Sequence, residues 1–204
     1  MPNTRFCFLL LSFLLLNCLV VTAQIRKNDE IKRIDLYCEK LDAHSKANVK
    51  PHLVFADVSQ NAKPKWRKFT SVSALEKFRE TTETFTIANN WMKNGKIVLT
   101  VFTLFSESGD WAKYVRSYFR PDGSLAKVET DYRTFHGDFR YEERLYFDAH
   151  GSLLAKHTGF KDLDMKKIAM PGKSYLKDNS PMMNAADYYK STSNLPYAHL
   201  LGKK

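Results

Sequence analysis

Apolar positions change their spacing several times along this chain, and each change marks a different element. Residues 6–21 form an apolar run interrupted only by Ser12 and Asn17. From Asn28 the period becomes helical, with Ile31, Ile34, Cys38 and Leu41 at i, i+3, i+7 and i+10. Asn28 can cap that helix, Asp29 and Glu30 suit its positive end, and Pro51 predicts a stop near Asn48. Ser73 with Glu76 three residues on reads as a capping box for a second, short helix carrying Leu75 and Phe78 on one face.

Between residues 84 and 160 the pattern belongs to a sheet. Gly95, Gly109, Gly123, Gly137 and Gly151 recur every 14 residues, and an aromatic stands four residues before all but Gly137. Each unit is a strand of about ten residues and a tight turn whose glycine takes a positive φ. The spacing predicts strands at 84–92, 96–105, 111–119, 124–134, 139–147 and 152–160. Arg120-Pro121-Asp122-Gly123 and Asp148-Ala149-His150-Gly151 have the residues of a type I turn closed by a left-handed glycine, which favours a three-residue loop with a bulge. Leu53–Val58 and Trp66–Phe69 add two further strand candidates.

The expected fold class is α+β: an antiparallel β-meander of six strands, or eight with those two, curved into a half-barrel or barrel and packed by the N-terminal helix. Residues 24–82 form the helical N-terminal segment, 83–160 the meander and 161–204 an irregular tail with a short helix from Ser180-Pro181 to Tyr189; residues 24–204 fold as one domain. The tail carries Met182, Met183, Tyr188, Tyr189, Leu195 and Tyr197, too apolar for a free linker, so it packs on the sheet. The strand from Ile97 to Phe105 is apolar on both faces, and the N-terminal helix is its natural second cover.

Because the period is even, a bulged turn that pairs residue 119 with 125 keeps side chains in phase across all six strands. It puts Trp91, Ile97, Phe119, Leu125, Phe147 and Leu153 in one apolar row. A four-residue loop would shift the pairing by one. In the first register Glu129, Glu143 and His157 share a row beside Val115; in the second, Glu129, Glu142 and His157 share one with Tyr114. Adjacent carboxylates beside a histidine are the ingredients of an acid/base site. The competing reading is a solvated charge ladder neutralised by Lys127, Arg140 and Arg144. On the even-numbered face, Tyr114, Tyr118, Tyr132 and Tyr146 alternate with Arg116, Arg140 and Arg144, a surface suited to stacking and charge recognition.

Charge and leader then narrow the setting. Arg5, the apolar run and Val21-Thr22-Ala23 have the form of a cleaved signal peptide over residues 1–23; the apolar run, residues 6–21, is short of the ~20 residues of a membrane span, so the expected location is periplasmic or extracellular. Cys38 is then the only cysteine of the exported chain, excluding an internal disulfide; its place in the apolar helical stripe predicts burial. The formal net charge of +10 favours an anionic partner, although the basic residues are scattered among acids with no block of five or more like charges, so the competing reading is a plain solvated basic surface; nucleic acid is not the expected partner. The histidines lack zinc spacing, and no phosphate loop, nucleophile elbow or cysteine pair is present, so no metal or cofactor is expected.

The Tyr-Phe-x-x-x-Gly-Ser-Leu unit at Tyr118–Leu125, repeated at Tyr146–Leu153, resembles the aromatic and glycine hairpin repeats of many exported bacterial proteins. That resemblance implies sheet-forming hairpins and no function. The expected role is a non-enzymatic binding or envelope-associated protein whose curved sheet takes an apolar or anionic ligand or an envelope protein. The alternatives are a hydrolase or isomerase-like enzyme using Glu129, Glu142 or Glu143 and His157, or a structural component docking through its Tyr and Arg face.

Overall fold

The computed structural model describes residues 4–59, 63–184 and 188–202, with only the backbone path given for 4–23 and 184. One antiparallel sheet of eight strands dominates: β1 (Leu53–Asp57), β2 (Trp66–Phe69), β3 (Thr86–Lys93), β4 (Lys96–Phe105), β5 (Trp111–Phe119), β6 (Leu125–Thr134), β7 (Phe139–Phe147) and β8 (Leu153–Asp162). Their order is β2-β1-β3-β4-β5-β6-β7-β8. Since β2 and β8 remain unpaired edges, the sheet is open, and the expectation of a closed barrel is corrected. Three helices accompany it, α1 (Thr4–Ala47), α2 (Val72–Arg79) and α3 (Lys173–Asn184). The predicted leader, 1–23, lies outside the residues whose side chains are described. Among the described residues no helix is long and apolar enough to cross a membrane.

All five periodic glycines adopt positive φ, from 73° at Gly95 to 94° at Gly137. At the two turns singled out by composition, the Gly123 and Gly151 amides donate to Arg120 and Asp148, while the Arg120 and Asp148 amides donate to Ser124 and Ser152. Gly123 is also needed for space, because a Cβ there would stand 2.7 Å from the Thr192 hydroxyl.

The register follows neither sequence-based alternative throughout. Phe119 does pair with Leu125 and Phe147 with Leu153, as the bulged turn requires. One residue further in, a second irregularity makes Tyr118 face Lys127 and Tyr146 face Ala155. The same shift at Trp91/Met92 makes Trp91 face Leu99. The residues passed over are Val98, Ala126 and Leu154, one in every second repeat, and all three pack toward α1. A bulge sends an additional side chain to one face and increases local twist. Three of them in line present Val98 with Leu99, Ala126 and Leu154 as the floor on which Ile34, Cys38 and Leu41 of α1 rest. The expected phase across all six strands is therefore corrected: parity alternates from strand to strand across β4 to β8 away from the bulges, whereas β3 and β4 keep the same parity, as Trp91 opposite Leu99.

The other face is closed by the C-terminal tail. Tyr197 is fully buried, stacked on Phe55 at 4.2 Å and tilted against Trp66 at 5.1 Å. Tyr189 and Tyr188 pack on Phe102 and Phe147. Ile97, Phe119, Leu125 and Phe147 of the predicted apolar row belong to this core, whereas Trp91 turns toward α1 and Leu153 is exposed. Met183 and Leu176 of α3 cover Tyr132, Phe139 and Tyr141.

Three helix limits differ from expectation. Backbone helix continues through Asn28, so Asn28 is no cap. In α2 the cap is Ser71, whose hydroxyl accepts from the Ala74 amide, rather than Ser73. Helix α3 begins at Lys173 and holds Pro181 internally instead of starting there.

Candidate functional site

Helix α1 crosses only one end of the sheet face it covers, and α2 fills the corner by β1 and β3 through Leu75 and Phe78 against Val54, Ala56 and Ile87. What remains on that face is a polar hollow of about 390 Å³ over β5–β7. Its lining includes Tyr114, Arg116, Glu129, Asp131, Arg133, Arg140, Glu142 and Arg144. With side chains alternating along each strand, the register brings these residues together: Arg116, Glu129, Arg144 and His157 form one row, and Tyr114, Asp131, Glu142 and Gly159 the next.

This row replaces the expected acid/base constellation. Glu129 faces Arg116 and Arg144, with Arg144 standing between it and His157. Glu142 and Glu143, as neighbours in β7, point to opposite faces. Glu143 instead accepts from the Tyr141 hydroxyl at 2.8 Å and pairs with Lys156. His157 is exposed on the edge strand, its ring edge-on to Tyr146 at 5.7 Å. Of the aromatic and basic residues expected on one face, Tyr114, Arg116, Tyr118, Arg140, Arg144 and Tyr146 do share it. Tyr132 does not: the alternating parity turns it to the α3 side, where its hydroxyl donates to Asn179 at 2.7 Å.

Two carboxylates of α1, seven residues apart and so on the same helical stripe as Ile34 and Leu41, organise the floor beside the hollow. Asp42 accepts from Arg116 at 2.6 Å and from the Tyr118 hydroxyl at 3.1 Å. Asp35 accepts from Lys127 at 2.8 Å and from the Tyr146 hydroxyl at 3.1 Å. Lys127 also pairs with Glu129 at 2.8 Å and lies 5.0 Å from the Tyr146 ring. Burial works to lower the Lys127 ammonium, yet its hydrogen bonds to Asp35 and Glu129 outweigh this and hold it above the ordinary lysine value. Burial first, then the Glu129 charge, pushes the Tyr118 phenol well up, so it acts as a neutral donor.

The hollow itself is nearly balanced. Asp131 pairs with Arg133 and Arg140, both at 2.7 Å, though Arg140 Nε is poorly aligned for a hydrogen bond. Glu142 pairs with Arg140 at 3.0 Å and Lys161 at 2.9 Å. Arg133 also lies over the Tyr114 ring, 5.1 Å from its centroid. Among the described residues, Arg144 is the one lining cation that no carboxylate pairs; it is exposed. Asp42, Asp131 and Arg133 were not singled out from sequence. The signal for Asp42 existed in its spacing from Ile34 and Cys38; that for the β6 pair required the register.

Cys38 is 2% exposed, and burial pushes its thiol up from 9.0 to about 12. A raised value means the unfolded state loses this proton first, so the stability it carries is present below pH 9 and is lost as pH rises toward 12. Tyr118, Tyr146 and Lys127 shift the same way. Urea denaturation should therefore show stability falling above pH 9, with Cys38→Ala shallowing the onset of that decline; an unchanged pH slope in the variant would remove the thiol from the explanation.

No known protein family, curated protein sequence or solved structure matches this chain.

Proposed function

We propose that this is an exported, non-enzymatic binding protein that holds an anionic ligand in the hollow beside α1. The observation that carries this reading is Arg144, a cation lining a 390 Å³ hollow whose other lining charges already have partners in the protein. An unpaired guanidinium offers two parallel donors to a carboxylate, sulfate or phosphate. Tyr114 lies two strands away in the adjoining row, about 10 Å across the sheet. That span fits a ligand of sugar size, with Arg144 supplying the charge and Tyr114, one face of which Arg133 covers, supplying an aromatic edge or its other face. The chain's +10 net charge adds long-range attraction for such a ligand.

An apolar ligand has less support. The apolar side of the sheet is filled by Tyr197, Leu195 and α3, and the hollow is lined by charge. The enzymatic alternative has less too, since Glu129 is held by Lys127 and Tyr118 while His157 sits in the open.

Titration calorimetry at low ionic strength with a sulfated disaccharide and with a galacturonate dimer tests the reading. Saturable one-site binding is expected for at least one of them, weakened at least about 10-fold by Arg144→Ala, the loss of one charge-assisted pair. Binding that Arg144→Ala leaves intact, or none to either acid, would overturn it.

A further inference from the structure

At the far end of the sheet, the β6–β7 turn, the loop after β8 and the start of α3 together form a cap that the hollow does not use. Phe135 is 70% exposed, Met170 69%, Met165 50% and Tyr175 43%. Contacts between the segments make this one surface. The His136 ring meets Tyr175 edge-on at 5.5 Å, the Arg140 guanidinium touches the Met165 sulfur, and a bridge between Lys161 and Lys167 ties the loop back to β8. Single exposed apolar side chains are ordinary; several gathered on one end mark a contact surface.

The chemistry of its rim points to the partner. Lys166, Lys167, Lys173 and Lys177 are all exposed around these side chains. Of the acids nearby, Asp162 accepts from the Lys166 amide at 2.7 Å and Asp178 stands 3.5 Å from His136; Asp138 and Asp164 are the others.

Met165 is the most telling position. The Met165 amide donates to Asp162 at 3.1 Å and the Asp162 amide to Lys166 at 2.9 Å, the same bonding as in the turns closed by Gly123 and Gly151. Here a methionine takes the left-handed place, at φ 73°. Glycine would adopt that conformation without the steric cost of a Cβ. The chain accepts the cost and displays an apolar side chain at the apex of a basic loop.

We propose that this cap docks on the surface of an anionic lipid bilayer, with Phe135, Met165 and Met170 entering the interface and the four lysines meeting lipid phosphates. Although four aspartates match the four lysines in number, the Lys166-Lys167 pair directly follows Met165 and Lys173 lies three residues after Met170, and apolar tips flanked by lysine in this way have the composition of interfacial membrane contacts. This goes beyond the ligand site in the hollow and does not depend on it.

Vesicle co-sedimentation at moderate salt decides the matter, comparing phosphatidylcholine alone with mixed phosphatidylglycerol and phosphatidylcholine. The protein is expected to bind the mixed vesicles and to leave the neutral ones in solution. Lys166→Glu with Lys167→Glu should lower partitioning at least about 25-fold, at roughly fivefold per lysine lost. Phe135→Ser with Met170→Ser should weaken it at least about 10-fold with an unchanged circular dichroism spectrum, these side chains being solvent-exposed. Arg144→Ala should retain vesicle binding, which separates failure of this proposal from failure of the ligand site. Equal binding to neutral and anionic vesicles, no binding to either, or indifference to both pairs of substitutions would overturn it.

Discussion

A Tyr197→Ala variant is expected to lose about 4 kcal/mol of stability, the range for removing a large aromatic from a packed core. For a chain of this size that corresponds to a melting point lower by roughly 8–16 °C. The ring is fully buried and lies against Phe55, Trp66 and Phe102, so its loss leaves a void bounded by three strands and the tail. Its hydroxyl donates to Asn90 Oδ1 at 2.7 Å, where the Thr100 hydroxyl also donates at 2.8 Å. Tyr197→Phe keeps the ring, and Asn90 keeps one of its two donors, so that variant should cost only about 1 kcal/mol. Thermal and urea unfolding of the two variants separate packing from hydrogen bonding. Equal losses in both would mean that the hydroxyl, rather than the ring, holds the tail.

The second large effect lies on the other face. Lys127→Met should destabilise by about 2 kcal/mol, below the 3–5 expected when a fully buried pair is broken. The discount follows from exposure: the lysine side chain is 8% exposed but its partners Asp35 and Glu129 are 39% and 30% exposed, so water recovers part of what the carboxylates lose. Methionine retains the packing of the stem between Tyr118 and Tyr146. The loss should be local to α1, because Asp35 is one of its polar attachments to the sheet, alongside Asp42, Tyr37 and His44. Hydrogen exchange at residues 31–41 ought to quicken relative to β5 and β6. A variant of unchanged stability and unchanged exchange would show that α1 is held without help from the Lys127 ion pairs.

Much of this architecture is written locally in the chain. Each turn glycine marks a hairpin by itself, and so the ends of β3 to β8 fall within two residues of where the spacing puts them. Leu53–Asp57, read from the apolar run Leu53–Val58, and Trp66–Phe69 join the sheet as two further strands. The N-terminal helix covers β4, and Cys38 is buried, because a helical apolar stripe and a strand apolar on both faces each require a partner.

Register is a different kind of property. Whether Ala126 is passed over depends on what lies above it, and α1, about 90 residues earlier in the chain, supplies that contact. A bulge of one residue reverses which side chains face the helix. The β5–β6 bulge thereby turns Tyr132 to the opposite face and sets Glu129 beside Arg116, while the four-residue β6–β7 turn that pairs Thr134 with Phe139 sets Glu129 against Arg144 and turns Glu143 away. The candidate site was legible as a region, the middle of the sheet around Glu129, Arg116 and Arg144. Its character as a nearly neutralised hollow with one unpaired guanidinium depends on Asp42, Asp131 and Arg133, whose pairings arise only once helix and strands are assembled.

On the function proposed above, the hollow is a ligand site with Arg144 as its anchor. Mapping amide chemical shifts as the sulfated disaccharide or the galacturonate dimer is added tests it most directly. Saturable shifts concentrated at Tyr114, Arg116, Glu129 and Arg144 are expected, absent in Arg144→Ala. Shifts confined to the lysine-rich cap around Lys166 and Lys173, or spread evenly over the basic surface, would contradict it.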